Sequence, residues 1–160
     1  MDEQLNLVKA KLLVVDDEQS IARLIGVMLH AAGYRDVTLC HDPREVLGLY
    51  RQHRYDLIFL DLHMPGMDGY QVMAALKEIE TEGYLPVLVI TADPEEKLKS
   101  LHAGAKDFIA KPFEHAEVLT RVQNLLEVRL LYRELRDYSR DLEQRVEERT
   151  ARLTRSYHET

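Results

Sequence analysis

A chain of 160 residues has room for one domain of ordinary size and an appendage, and its 46% apolar content is that of a folded globular protein rather than a disordered or collagenous one. A formal net charge of −7 argues against direct nucleic-acid binding, which draws on a basic face to displace phosphate counterions, and favours a surface that binds cations or proteins. Met1-Asp2-Glu3-Gln4 lacks the basic start and apolar run of a secretory signal, and no stretch of about 18 apolar residues is present to span a bilayer, so a cytoplasmic protein without a membrane partner is expected.

In chain order, residues 1–10 read as an N-terminal tail and residues 11–124 as one domain. Leu12-Leu13-Val14-Val15 is too short for a helix and too continuously apolar for a half-exposed strand, so it reads as a strand buried on both faces. Ile21, Leu24, Ile25, Met28 and Leu29 then form a helical stripe, stopped near Gly33. A weaker strand, Val37-Thr38-Leu39-Cys40, ends in the chain's single cysteine, which has no disulfide partner and reads as a packing residue. Asp42 before Pro43 signals a helix start, and Val46, Leu47 and Tyr50 supply its apolar face. The pattern repeats with the strand Leu57-Ile58-Phe59-Leu60, the helical residues Val72, Met73, Leu76 and Ile79, and a stop near Gly83. Val87-Leu88-Val89-Ile90, a helix start at Asp93-Pro94, and Phe108-Ile109-Ala110 complete five strands. Strands alternating with helices predict an α/β fold, a doubly wound parallel sheet with helices on both faces, because right-handed crossovers leave few other connections.

From Glu114 onward there is no proline or glycine, and arginine and glutamate alternate with spaced apolar residues. Residues 125–160 therefore read as a helical coiled-coil extension, or as a linker to an output domain beyond a fragment. One seam runs through Leu125, Tyr132, Ser139, Val146 and Leu153 and the other through Val128, Leu135, Leu142, Arg149 and Ser156, with three polar positions. Such a helix, extending ~45 Å at about 1.5 Å per residue, gains little packing energy alone, and its simplest partner is a second copy. Arginines at 129, 133, 136, 140, 145, 149, 152 and 155 are interleaved with acids, which suggests a solvated face rather than a DNA-binding helix.

In an open parallel sheet, ligands bind at the carboxyl ends of the strands. There the sequence places Asp16-Asp17 after the first strand, Asp61 after the third, Thr91 after the fourth and Lys111-Pro112 after the fifth. Carboxylates held together repel one another unless a cation neutralises them, and an oxygen-rich set favours Mg2+. With that charge drawn off, a carboxylate can attack a phosphoryl group, and Asp61, flanked by the others, is the candidate nucleophile.

Four blocks, Val15-Asp16-Asp17-Glu18, Asp61-Leu62-His63-Met64-Pro65-Gly66-Met67-Asp68-Gly69, Thr91-Ala92 and Gly104 through Phe113, stand in an order and spacing that resembles the receiver domains of two-component response regulators. The resemblance covers roughly Lys11 to Leu126. It implies a flavodoxin-like (βα)5 sandwich with phosphorylation on Asp61 by a sensor histidine kinase or phosphotransfer protein. It further implies Mg2+ held by Asp16, Asp17, Asp61 and the His63 backbone carbonyl, phosphoryl contacts from Thr91 and Lys111, and a cis Lys111-Pro112 bond. Phe108 stands at the aromatic switch position, where the family's usual tyrosine has a hydroxyl. His63 and Asp93 fall at positions that in the family influence how water reaches the acyl phosphate. On this resemblance the protein is a phosphorelay switch rather than a turnover enzyme, with a homodimer expected through the C-terminal helix. Two other classes fit parts of the pattern. A phosphohydrolase would ordinarily place an aspartate general acid where His63 stands, and a phosphorylation-independent dimeric scaffold would make no use of the acidic site.

Overall fold

In a computed structural model of the chain, residues 7–81 and 83–159 are described, with side chains through Thr154. Five parallel strands, β1 (Lys11–Val15), β2 (Asp36–Cys40), β3 (Leu57–Asp61), β4 (Val87–Thr91) and β5 (Asp107–Ala110), form one sheet in the order β2-β1-β3-β4-β5. They alternate with α1 (Gln19–Ala31), α2 (Val46–His53), α3 (Gly69–Ile79), α4 (Glu96–His102) and α5 (His115–Glu159). The fold is the doubly wound, flavodoxin-like sandwich with a long C-terminal helix. Every residue of β3 and β4 is buried, which explains their unbroken apolar runs: a central strand has helices over both faces. Each large apolar side chain so covered contributes about 1.5–3 kcal/mol.

Local chemistry sets the helix ends. The Asp68 carboxylate accepts from Gln71 N at 2.9 Å while the Gln71 side chain accepts from Asp68 N at 3.0 Å, a reciprocal cap on α3. Asp42 accepts from Arg44 N at 3.0 Å at the head of a 3-10 turn, Pro43–Glu45, that leads into α2. The Asp93-Pro94 start is displaced: Asp93 accepts from Glu95 N at 3.0 Å, and α4 begins only at Glu96. Gly33, just past α1, has φ +103, a conformation that side chains with a Cβ rarely adopt.

Three expectations about packing are corrected. The buried face of α1 runs through Ala22, Ile25, Gly26, Met28 and Leu29, while Leu24 is half exposed. Gly26 explains the rotation, because a Cβ there would lie 3.3 Å from Leu39 Cδ2, so the helix packs on β2 through its glycine. Within the expected tail 1–10, Leu7 and Ala10 are buried, whereas residues 1–6 lie outside the described residues. The first compact unit extends to Arg129 rather than 124, with Leu125 and Leu126 in its core, so Leu125 is not a free seam position.

The largest of the fully buried side chains is Arg129, assigned from the sequence to a solvated face. Its Nε lies 3.4 Å from Asp56 Oδ1, and Nη1 donates to the Tyr84 carbonyl. Asp56 Oδ2 in turn accepts from Lys11 N at 2.9 Å, so one carboxylate ties α5 to the start of β1. Arg121 Nη1 reaches both oxygens of Asp107, the first residue of β5, at 2.8 Å. Both anchors stand at the amino edge of the sheet.

Beyond Arg129 the described chain, through Glu159, is the remainder of α5 and forms a second compact unit. Leu131, Leu135, Tyr138, Leu142, Val146 and Leu153 expose large apolar side chains on it, and seam position Ser156 and Arg155 lie outside the described side chains.

Candidate phosphoacceptor site

At the carboxyl edge of the sheet, parallel register sets the site. β1 lies between β2 and β3, and β3 between β1 and β4, so Asp16 follows one strand and Asp61 ends its neighbour. The crossovers on either side of β1 run in opposite directions there, which opens the crevice in which doubly wound folds bind ligands. Carboxylate oxygens of Asp16, Asp17 and Asp61 all lie within 4.8 Å of one another. Lys111 Nζ stands 3.2 Å from Asp16 Oδ2 and 3.6 Å from Asp61 Oδ2, with its side chain 15% exposed. Three carboxylates against one ammonium leave a formal charge of −2, and burial together with Asp16 pushes the Asp61 carboxyl up to about 6, with Lys111 and the His63 N–H opposing. This donor set fits a hard divalent cation.

Further contacts hold Asp16, Asp61, Thr91 and Lys111 in place. Asp16 Oδ1 accepts from Glu18 N at 2.9 Å, which turns the backbone after β1, and Asp61 Oδ1 accepts from His63 N at 3.3 Å. The Asp16 carbonyl bonds His41 Nδ1 at 3.1 Å; a carbonyl can only accept, so His41 carries its proton there. Thr91 is fully buried, and its hydroxyl accepts from Asp93 N at 3.3 Å. Lys111 N donates to the Thr91 carbonyl at 2.8 Å, and the Lys111-Pro112 bond is cis. Phe108 faces inward, part of the core cluster that includes Leu60 and Val89.

The structure thus brings Asp16, Asp17, Asp61 and Lys111 together, with Thr91 at the end of the adjacent strand. His63 departs from its neighbours: its backbone stays by Asp61, but its side chain points out, and Nε2 meets Glu96 Oε1 at 3.1 Å. The Tyr70 hydroxyl donates to the other Glu96 oxygen, and Lys99 Nζ sits 4.6 Å from the centre of the Tyr70 ring. Neither Glu96 nor Tyr70 is marked by sequence spacing, because each acquires its role only where separate loops meet. Gly69 is a second such position. A Cβ on it would fall 2.8 Å from the Asp61 carbonyl and 2.9 Å from Leu62 Cα, so α3 can begin against the backbone that follows β3 only with glycine there.

A doubly wound five-stranded sheet with an acidic cluster and a lysine at its carboxyl edge defines a phosphoryl-receiving signalling domain. Residues 12–123 match the response regulator receiver domain family, and the chain belongs to it. It is 38% identical over 120 residues to the probable transcriptional regulator ycf27 of Porphyridium aerugineum, covering 74% of this chain and 48% of that protein. It is also 39% identical over 118 residues to the transcriptional regulatory protein PcoR of Escherichia coli, covering 72% and 51%. The chain thus spans about half the length of such relatives. Among solved structures, the receiver domain of a Pseudomonas aeruginosa sensor histidine kinase, which holds a magnesium ion in its active-site cleft, is 30% identical with a TM-score of 0.68, covering 74% of this chain and 98% of that one.

Proposed function

We propose that this receiver is a phosphorelay switch that accepts a phosphoryl group on Asp61 from a sensor histidine kinase or phosphotransfer protein. The observation that carries the proposal is Asp61 at the end of the central strand, 3.6 Å from Lys111 Nζ and grouped with Asp16 and Asp17. Mg2+ would be held by Asp16, Asp17, Asp61 and the His63 carbonyl. When bound, it neutralises the carboxylates and the charge of the incoming phosphoryl oxygens. A carboxylate oxygen of Asp61 attacks phosphorus as the P–N bond of a phosphohistidine donor breaks, and the leaving imidazole takes a proton from solvent. Lys111 pairs with a phosphoryl oxygen, and Thr91 gives up the Asp93 N–H to donate its hydroxyl to another. Phe108 moves with Thr91.

Energetically the switch is feasible. Turning a 1:99 equilibrium into 99:1 needs about 5.5 kcal/mol, and charged hydrogen bonds contribute ~1.5–3 kcal/mol each, so two or three suffice.

The output is a change in the pairing of two copies through α5, whose second unit exposes an apolar series at helical spacing. Because the chain covers about half the length of these relatives, it also suits the N-terminal regulatory part of a longer regulator with an enzymatic output domain, the helix beyond Arg129 serving as the linker. The domain itself acts as acceptor, without turnover chemistry on an added substrate, in the cytoplasm and without direct nucleic-acid contact. Among the described residues no helix is long and apolar enough to cross a membrane.

Acetyl phosphate with Mg2+ tests the assignment. Intact mass should rise by one phosphoryl group in the unmodified protein and not in Asp61→Asn or without the metal. No gain in a protein that binds Mg2+ would remove Asp61 from the role.

A further inference from the structure

Four contacts, taken in sequence, form a chain that runs from Asp61 to Thr91 beside the site. Asp61 Oδ1 accepts from His63 N; the His63 ring pairs with Glu96; Glu96 N donates to the Asp93 carbonyl at 3.2 Å; and Asp93 N donates to the Thr91 hydroxyl. The loop after β3 and the loop after β4, which flank the Asp61 carboxylate, are thereby joined by one side chain. Glu96 is fitted for that task. Its side chain is only 16% exposed although it begins a surface helix, and one oxygen takes the Tyr70 hydroxyl while the other takes His63. The Tyr70 ring also has the Lys99 ammonium over its face, one turn along α4 from Glu96. A carboxylate engaged at both oxygens has little rotameric freedom, so the His63 ring, which is otherwise largely exposed, is fixed across the gap between the loops.

We propose that Glu96 is a positioning residue for the lifetime of the phosphorylated state: by holding His63 across the two loops it limits the approach of water to the acyl phosphate on Asp61. The proposal rests on Asp61 being the acceptor. The reaction it slows is attack of a water oxygen on phosphorus with cleavage of the Asp61 oxygen–phosphorus bond, which releases inorganic phosphate and the Asp61 carboxylate, the water's protons passing to phosphate and solvent. Glu96 touches none of the reacting atoms; it acts through His63. Tyr70 acts one step further back, by orienting Glu96.

The test uses the full chain phosphorylated with acetyl phosphate and Mg2+, freed of donor by desalting, its phosphoryl group then followed by intact mass. Glu96→Ala and His63→Ala should each lose the group roughly three- to tenfold faster, the effect of one ordinary hydrogen bond. Tyr70→Phe should fall between them and the unmodified protein. Glu96→Gln should restore most of the lifetime, since an amide can still accept from Tyr70 and donate to the unprotonated ring nitrogen of His63.

Equal decay in Glu96→Ala and the unmodified protein overturns the proposal, and does so even if the melting temperature of the variant drops, since Glu96 is then only structural. Matching acceleration in the Gln and Ala variants also overturns it, because charge rather than position would then be responsible. Absence of any mass gain in the unmodified protein overturns the acceptor assignment itself, a result distinguishable from both.

Discussion

Arg129 and Asp56, 73 residues apart, form an ion pair with the guanidinium 1% and the carboxylate 6% exposed. The pair makes α5 part of the domain. An ion withdrawn from water is tolerable only when its partners are in place, so removing one member is far costlier than the surface value of such a pair. Arg129→Ala should lower the unfolding free energy by about 3–5 kcal/mol, measured by urea denaturation. A loss below ~1 kcal/mol, the range of exposed pairs, would show that the pair is not buried in solution.

The same contact defines where the domain can be cut. A chain ending at Arg129 should fold cooperatively and accept phosphate like the full chain, whereas one ending at Asn124 should unfold at much lower urea. It loses Leu125, Leu126 and the arginine together. Equal midpoints for the two truncations would place the boundary at 124 instead.

Asp61 gives the site a pH dependence whose sign follows from its raised pKa. A carboxyl at about 6 in the fold against an ordinary 3.8 stabilises the fold while protonated. That contribution is fully present below about pH 4 and lost as pH rises through 6. With chelator present, Asp61→Asn should therefore raise stability at pH 8, by on the order of 1–3 kcal/mol, and change it little at pH 4. Magnesium affinity of the unmodified protein should fall as pH drops through 6, where the proton competes with the metal. An Asn variant no more stable than the parent at pH 8 would mean that Lys111 already compensates the ionised carboxyl.

Gly69 should resist even the smallest side chain. Gly69→Ala drives a methyl into the backbone of Asp61 and Leu62 as well as the Leu62 side chain, and the backbone atoms cannot swing aside. A loss of about 1–3 kcal/mol is expected, together with slower phosphorylation by acetyl phosphate as Asp61 is displaced. Gly48→Ala provides the control, since nothing lies within 4 Å of its added carbon.

The fold and the side-chain cluster at its carboxyl edge were legible in the sequence because both are set by local patterns. Continuous apolar runs such as Leu57–Leu60 belong to strands covered on both faces, and a parallel sheet delivers the residue after each strand to one edge, which is why Asp16, Asp17, Asp61, Thr91 and Lys111 group from strand direction alone. Residues whose role comes from a partner distant in the chain were not legible. Arg129 resembles its solvated neighbours in every local respect, and only the approach of Asp56 and the Tyr84 carbonyl makes its burial affordable. Leu24 is as apolar as Ile25, yet the glycine that lets α1 close on Leu39 turns it outward. Glu96 is one acid among many in the sequence, and its place between His63 and Tyr70 arises where two loops and a helix meet. The sequence by itself determined the strands, the helices and the residues that gather at one edge, through periodicity and strand direction. The tertiary structure alone decided which charges are buried, which helix face is covered and how far the domain extends, because desolvation and close approach depend on neighbours that local sequence does not specify.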